Sequence, residues 1–288
     1  MNFIATFFGL IAAALFGLLI HFQRKGLDTN DPLFGAFISV FAMTALLWIL
    51  SPLFIDYNWI LTKPTLIFFI GGLFFPAFAQ VAQTFSITKV GPAITSSLGA
   101  FAPFFATVPA VFFLKEPWSL QLVMGMLIMT TGLILVTTKT DKLKRNWPIW
   151  VLLFPLGASL ARGIIQPIVK VGMLEIPSPF FATLILGSSS TIVLFILIIS
   201  TGKYKNLISF TDGIKWFSIS GIVNALGILS IFYAVYLGGV TLAAPLVATS
   251  PVWALLFGYF IFKNEILSLR HIFVAALVVI GSILIVLR

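Results

Sequence analysis

Three polar side chains recur along one face of an otherwise apolar stretch, Trp150–Gly172. Ser159, Arg162 and Gln166 stand at positions i, i+3 and i+7, which share one side of an α-helix. A guanidinium inside hydrocarbon costs at least about 2.5 kcal/mol, so such a residue marks a functional site by default. Its planar fork of donors fits a carboxylate, sulfonate or phosphate. We therefore expect Arg162 to contact an anionic solute; the alternative is an arginine bonded to backbone carbonyls or reaching the interface.

Amide, hydroxyl and aromatic side chains in other apolar stretches are candidates for the rest of a polar cavity. Gln80 and Gln83 lie one helical turn apart, and two amides inside a span are better placed in a polar cavity than in lipid. Hydrogen bonding between helices explains this pair equally well. Tyr233 stands near the end of its stretch, where it also fits an interface anchor. The predicted substrate-binding residues are, in full, Gln80, Gln83, Ser159, Arg162, Gln166, Asn224, Tyr233, Thr249 and Trp253.

Two prolines stand inside apolar stretches in the two halves of the chain. Pro103 and Pro251 each leave a backbone carbonyl without its helical donor, so that a neighbour, water or a ligand must supply one. We expect them to bend their helices and to serve gating. A kink satisfied by nearby Thr and Ser hydroxyls is at least as good an explanation.

Residue types that carry catalysis or bind metals are scarce. The chain has no cysteine and two histidines, and its eight acidic residues form no cluster, so we expect no disulfide, metal site or cofactor. It has neither a phosphate-binding glycine–lysine loop nor a serine–histidine–aspartate set in its apolar stretches. No carboxylate lies in the middle of such a stretch, which argues against the simplest carboxylate-coupled ion transport. These features point away from an enzyme.

The composition requires a membrane. Hydrophobic residues make up 60% of the 288 positions and charged residues 9%, whereas a soluble domain carries about 25% charged residues. The net charge of +9 sits mostly in short loops, where lipid headgroups rather than nucleic acid are the expected neighbours. Ten stretches approach the length that crosses a bilayer as a helix, and they lack the alternation of a β-barrel, so we predict an all-α bundle. They are residues 3–22, 33–55, 65–87, 92–114, 119–138, 148–170, 179–200, 213–236, 240–262 and 269–287.

The two halves of the chain resemble each other. The matched pairs are Gly91 with Gly239, Pro103 with Pro251, Lys115 with Lys263, Glu116 with Glu265 after one insertion, and Gly17 with Gly163. Matches that keep register over two helices indicate a repeat. We divide the chain into a first five-helix repeat (1–138), a connecting loop (139–147) and a second five-helix repeat (148–288). An odd number of spans inverts the second half, and inverted repeats are typical of secondary transporters.

The ends of the fourth and ninth stretches carry motifs of a known family. They read Val90-Gly91-Pro92-Ala93 and Phe113-Leu114-Lys115-Glu116 in the first half, and Leu237-Gly238-Gly239-Val240 and Phe262-Lys263-Asn264-Glu265 in the second. With a proline between each pair of motifs, the chain resembles the EamA-like branch of the drug/metabolite transporter superfamily over nearly its whole length. The resemblance implies ten helices in two inverted repeats around a central cavity.

These observations predict a secondary active transporter of the inner (plasma) membrane, which moves a small organic solute by alternating access. Arg162 without an acidic partner favours a solute with an anionic group: an amino acid, a carboxylate or a sulfonate. The resemblance adds amino-acid transport and efflux as expectations. The expected partners are the solute, membrane lipids and a coupling ion such as a proton, in a monomer or homodimer. The alternatives are a channel or a non-transporting scaffold and, third, a membrane enzyme acting on lipid-linked substrates.

Two indicators of orientation disagree. The family resemblance implies that both termini lie in the cytoplasm. Four of the basic residues outside the spans would then lie on the cytoplasmic side and twelve on the opposite side. Because basic loops normally face the cytoplasm, the charge distribution favours the reverse orientation.

Overall fold

Helices account for the regular structure of this chain. The computed structural model describes residues 3–99, 101–137, 147–202, 212–263 and 269–287, and these ranges contain no β-strand. The predicted connecting loop, 139–147, lies outside the described residues except for Trp147. The α-helices are α1 Phe3–Leu27, α2 Pro32–Phe54, α3 Lys63–Phe74, α4 Ala77–Gly99, α5 Ala102–Phe113, α6 Leu120–Thr137, α7 Leu153–Met173, α8 Pro179–Ser200, α9 Asp212–Gly238, α10 Val240–Val247, α11 Ser250–Phe260 and α12 Leu269–Val286, with short 3-10 helices at Tyr57–Leu61 and Ile149–Leu152.

Most of these helices are long and apolar enough to cross a bilayer. Within the described part of the chain seven stretches qualify: Phe3–Leu27, Pro32–Phe54, Lys63–Gly91, Ile149–Met173, Pro179–Ser200, Asp212–Gly238 and Val240–Phe260. Three shorter apolar helices, Ala102–Phe113, Leu120–Gly132 and Ala275–Val286, coincide with the fourth, fifth and tenth predicted stretches. The all-helical, multi-pass membrane class is confirmed, whereas the number of ten spans stays a prediction.

The outer surface is apolar, as lipid contact requires. Leu61 is 97% exposed, Phe113 82% and Leu53 77%, and many other large apolar side chains share this exposure. So much exposed apolar area would be unfavourable in water. Contiguous apolar patches of this kind mark surfaces that contact lipid or another protein.

Side-chain caps and prolines fix where several helices begin. Asp31 precedes α2, and its Oδ1 accepts the N–H groups of Leu33 (2.9 Å) and Phe34 (3.2 Å). Ser178 caps α8 in the same way by accepting the N–H of Phe181 at 3.1 Å. A proline follows each cap in the first turn, where its missing N–H costs nothing.

Three of the predicted spans are broken rather than continuous. Pro76 lies between α3 and α4. Pro103 stands in the first turn of α5, and Pro251 stands in the first turn of α11. Because proline has no N–H to donate, the pattern of helical hydrogen bonds is interrupted at or before each of these residues. The predicted span 65–87 is not continuous, because the structure divides it into α3 and α4. The physical reason is Pro76, which cannot donate to the preceding turn.

Paired glycines dock the first helix of each half onto a helix of the other half. A Cβ on Gly17 of α1 would lie 2.8 Å from the carbonyl oxygen of Ser250 and 2.7 Å from the backbone nitrogen of Ala254, both in α11. A Cβ on Gly163 of α7 would lie 2.6 Å from the carbonyl oxygen of Ala102 in α5. Such distances exclude any side chain, and small residues permit this close approach inside membranes. The two halves therefore interlock, α1 on α11 and α7 on α5.

The repeat is also visible in the backbone. Gly91 has φ 82° and ψ 166°, and its counterpart Gly239 has φ 83° and ψ 167°. Lys115 and Lys263 have left-handed φ values of 53° and 52°, which are uncommon for residues other than glycine. Matched residues thus adopt matched local conformations. The inversion of one half relative to the other stays a prediction.

Candidate functional site

A cavity lies where the three helix interruptions meet. Its wall includes Phe75 between α3 and α4, Gly99 and Ala102 on the two sides of the α4–α5 break, and Ala248 and Ser250 at the α10–α11 break. The volume of this cavity that the centre of a water molecule can reach is about 90 Å³. Interrupted helices are tolerated at membrane depth where they line a cavity, and transporters place binding sites at such breaks.

The wall has polar and apolar parts. Polar side chains come from Gln80, Gln83, Thr95, Arg162, Gln166, Asn224 and Ser250, and apolar ones include Phe16, Leu19, Ile20, Phe75, Ile165, Ile231 and Phe232. Five of the predicted substrate-binding residues therefore share one cavity: Gln80, Gln83, Arg162, Gln166 and Asn224. Both predicted gating prolines, Pro103 and Pro251, also line it.

The amphipathic character of α7 directs Arg162 inward. The opposite face of this helix is apolar and exposed at Leu160, Ile164 and Ile168. Helices with one apolar face turn it towards the apolar medium, which here is lipid, and their polar face towards the protein. Arg162 does not point into lipid: it lines the cavity beside Gln166.

The hydrogen-bond partner of the guanidinium is a neutral amide. Arg162 donates a hydrogen bond from Nη2 to Oε1 of Gln83 in α4. Gln83 in turn donates from Nε2 to Oε1 of Gln23 in α1, at 2.6 Å. No carboxylate among the described residues forms an ion pair with Arg162. The chain Arg162–Gln83–Gln23 therefore links three helices and leaves the positive charge without a countercharge.

Two amide groups near Arg162 have unused hydrogen-bonding capacity. Gln166 donates to the carbonyl oxygen of Arg162 at 3.1 Å, but its buried Oε1 has no partner in the described part of the chain. The same holds for Nε2 of Gln23. A buried polar group without a hydrogen-bond partner destabilises the fold by about 1–3 kcal/mol. Water, a ligand or a rotated side chain that supplied the missing partner to either amide would therefore be bound favourably.

The other two polar candidates on the wall are tied to neighbouring helices. Gln80 donates to Oγ of Ser39 at 3.3 Å, and Ser39 and Ser220 share a hydrogen bond of 2.8 Å. Asn224 is held more weakly, by a contact of 3.7 Å from Nδ2 to Sδ of Met43. Gln80 therefore joins helices while it also faces the cavity, and both interpretations of this amide have support.

The structure places the remaining four candidates away from the cavity wall. Ser159 donates to the carbonyl oxygen of Leu156 (2.9 Å), and Thr249 donates to that of Leu246 (2.7 Å). Tyr233 stacks on Phe8 of α1, with ring centroids 5.3 Å apart, and Trp253 packs against Gly17 and Phe257. A direct role for these four in binding stays a prediction.

Sequence reasoning missed several residues of this site. Gln23 lies beyond residue 22, where the first stretch was predicted to end, whereas α1 continues to Leu27 and buries it. Phe16 and Phe232 line the cavity, yet nothing in the sequence separates them from the many lipid-facing phenylalanines. Glu116 ends a motif of the first half, and its carboxylate accepts the N–H groups of Val240 and Thr241 at the start of α10, in the other half. Its counterpart Glu265 lies outside the described residues.

Comparison with known proteins agrees with the helices and the repeat. The model of the EamA-like transporter family matches twice, over residues 3–138 and 148–287. A solved crystal structure of another protein superposes with a TM-score of 0.72 over 98% of this chain and 96% of that chain, at 17% sequence identity, which speaks for the fold alone. No curated protein matches the chain in sequence.

One match covers the half that contains Gly91 and Lys115, and the other covers the half that contains their counterparts, Gly239 and Lys263. Together the two matches cover nearly all of the chain. Apolar helices, a cavity at their interruptions and a repeated family signature have one common explanation. The chain belongs to the EamA-like transporter family.

Proposed function

We propose that this protein is a secondary active transporter of the inner (plasma) membrane that moves a small organic anion, such as an amino acid, carboxylate or sulfonate, by alternating access. The observation that carries the proposal is Arg162, whose guanidinium lines the cavity with a neutral amide, Gln83, as its partner. A buried charge is normally paired, because its desolvation is costly. The solute itself then supplies the missing negative charge.

The cavity wall also favours a solute with an apolar part. Phe16, Phe75 and Phe232 contribute aromatic rings, and Ile20 and Ile231 contribute aliphatic surface. Ligand sites of this composition bind through apolar area and use a few polar groups to fix orientation. The guanidinium would hold the anionic head, and the rings would cover the remainder of the molecule.

Alternating access is supported by where the cavity lies. Its wall combines α1, α4 and α5 of the first half with α7, α9 and α10 of the second half. In transporters built from repeats, rocking of one half against the other exposes such a site to each side in turn. The broken helices supply the places where that motion can be absorbed.

Ligand binding is tested by thermal unfolding of the purified protein. Carboxylates and sulfonates are screened beside their neutral amides and esters, since a ligand at 100 times its Kd adds about 2.7 kcal/mol of stability. We expect the anions alone to stabilise the protein, and Arg162→Gln to remove their effect. Equal stabilisation by the neutral analogues, or an unchanged response of Arg162→Gln, would contradict the anion site.

Transport is tested with the anion that binds best. Proteoliposomes preloaded with unlabelled solute are given a trace of labelled solute outside. Alternating access predicts transient accumulation of label by counterflow, with saturation, because each carrier returns loaded. A channel predicts simple equilibration without overshoot, and a scaffold predicts no flux, so either result would replace the proposal with the corresponding alternative.

A further inference from the structure

A carboxylate from the first half of the chain closes onto the second half at one end of the bundle. Glu116, in the turn after α5, accepts hydrogen bonds from the backbone N–H groups of Val240 (2.9 Å) and Thr241 (2.8 Å) at the start of α10. The first N–H groups of an α-helix have no acceptor in the helix itself, and the helix dipole favours a negative charge at this end. A Cβ on Gly239 would lie 3.0 Å from Oε2 of Glu116, so a glycine there leaves room for the carboxylate.

A cation of α7 lies within electrostatic range of Glu116. Lys170, in the last turn of α7, donates a hydrogen bond of 2.8 Å to the carbonyl oxygen of Val235 in α9 and is attracted electrostatically to Glu116. Hydrogen bonds therefore tie the turn after α5 to the start of α10, and the end of α7 to α9. We name Glu116 and its two donors, Val240 and Thr241, the latch.

The latch and the cavity wall share one short helix. α10 has eight residues, with the latch donors Val240 and Thr241 at its start and the wall residues Ala244 and Val247 further along. At 1.5 Å per residue, Val240 and Ala244 are about 6 Å apart along the helix axis. A helix of about two turns moves as a unit, so release of its first turn from Glu116 would displace the cavity wall.

The first half contains the matched glycine, Gly91. Thr84, in the middle of α4, donates to the carbonyl oxygen of Pro32 at the start of α2, at 3.1 Å. Gly91, two turns further along α4, repeats the backbone angles of Gly239. Among the described residues, however, no heavy atom lies within 4 Å of where its Cβ would stand. Gly239 thus has a carboxylate against it, whereas the residue matched to that carboxylate, Glu265, lies outside the described residues.

We infer that Glu116 acts as a latch: its carboxylate, bound to the first turn of α10, holds the α10 end of the cavity closed and lets go once in each transport cycle. Glu116 is a positioning residue, because it acts on the cavity through α10. The inference rests on the proposed alternating access for its place in the cycle. Closure itself involves no solute, so it can be tested separately from the anion site.

The natural chain has no cysteine, so single cysteines report accessibility without further changes. Ala243→Cys places a thiol one turn into α10, and Ala36→Cys places one near the start of α2; both positions are fully buried. The rate of modification by a hydrophilic maleimide is measured in detergent without solute. Glu116→Gln is expected to speed modification at 243 about tenfold, equivalent to about 1.4 kcal/mol, and to leave position 36 unchanged. Glu175→Gln, at an exposed carboxylate near the same end, is the matched control and should change neither rate.

Each remaining outcome would overturn the latch. Equal acceleration at both positions would mean that Glu116→Gln loosens the whole fold, and no acceleration at position 243 would mean that the contact does not limit opening. Glu116→Asp, which retains the charge but shortens the reach, is measured in parallel and should give an intermediate rate. If neither variant folds, Glu116 is a permanent structural brace. Failure of the anion-binding test would leave these rates unaffected.

Discussion

Replacing Gln83 by glutamate tests the argument that the solute supplies the countercharge of Arg162. Gln83 accepts a hydrogen bond from the guanidinium, so a carboxylate at this position would form a direct ion pair. Gln23 can also satisfy the new carboxylate, because its Nε2 has no partner in the described structure and its amide can turn towards residue 83. The variant is therefore expected to fold with a melting temperature close to that of the natural protein.

The expected loss of anion binding follows from the strength of this pair. At about 4 Å and an effective dielectric constant of about 20, two opposite unit charges attract by about 4 kcal/mol. An anion that enters the cavity of Gln83→Glu must either displace the carboxylate of residue 83 from Arg162 or be repelled by it. Since about 1.4 kcal/mol corresponds to a factor of ten, we expect Kd to rise roughly a hundredfold to a thousandfold.

Isothermal titration of the anion that stabilises the natural protein measures this change. Gln83→Met is the matched control: it removes the hydrogen-bond acceptor but adds no charge, so it should destabilise the fold by about 1–3 kcal/mol and keep Kd within about tenfold. Unchanged anion affinity in a well-folded Gln83→Glu variant would refute the reasoning. Equal losses in both variants would assign the effect to the shape of the site rather than to charge.

Two further predictions concern stability, and thermal unfolding in detergent measures both. Gly221→Ala would bring a Cβ against the carbonyl oxygen of Ser39, so overpacking should lower the free energy of unfolding by about 1–3 kcal/mol. Gly99→Ala is the control, because its Cβ would meet nothing within 4 Å in the described structure and stability should not change. Equal melting temperatures of the two variants would contradict the packing argument. Asp31→Ala should cost about 1 kcal/mol by removing the cap of α2, and Asp31→Asn should restore most of it; if Asn fails to do so, the charge and not the cap is what matters.

The helices could be predicted because a bilayer leaves the chain few choices. Backbone groups in lipid must be satisfied within the segment, so each long apolar stretch predicts a helix and short polar connections predict its ends. The breaks were harder to predict. Pro103 and Pro251 were recognised as matched features, whereas Pro76 lies within a stretch that was predicted as continuous. A proline in a span predicts a disturbance, but whether the helix kinks or ends depends on what lies against it.

The candidate site could be predicted in part from the sequence. Residues that share one helical face could be predicted, whereas contacts between distant parts of the chain could not. Arg162 and Gln166 share a helical face, which sequence spacing reveals, and the structure places both on the cavity wall. Spacing also grouped Ser159 with them, but that hydroxyl bonds to its own helix. Partners that join the two halves, such as Glu116 with Val240, depend on how the halves dock, and no local pattern encodes that.

The repeat explains how a charged residue and an aromatic residue reach the same cavity wall from matched positions. Gly17 and Gly163 are matched residues, and each docks its helix onto the broken helix of the opposite half. The residues that immediately precede them, Phe16 and Arg162, both line the cavity. The same packing therefore delivers a side chain to the cavity from each half, and only the identity of that side chain differs. A matched pair of positions thus contributes a cation from one half and an aromatic ring from the other, which suits the proposed organic anion with an apolar part.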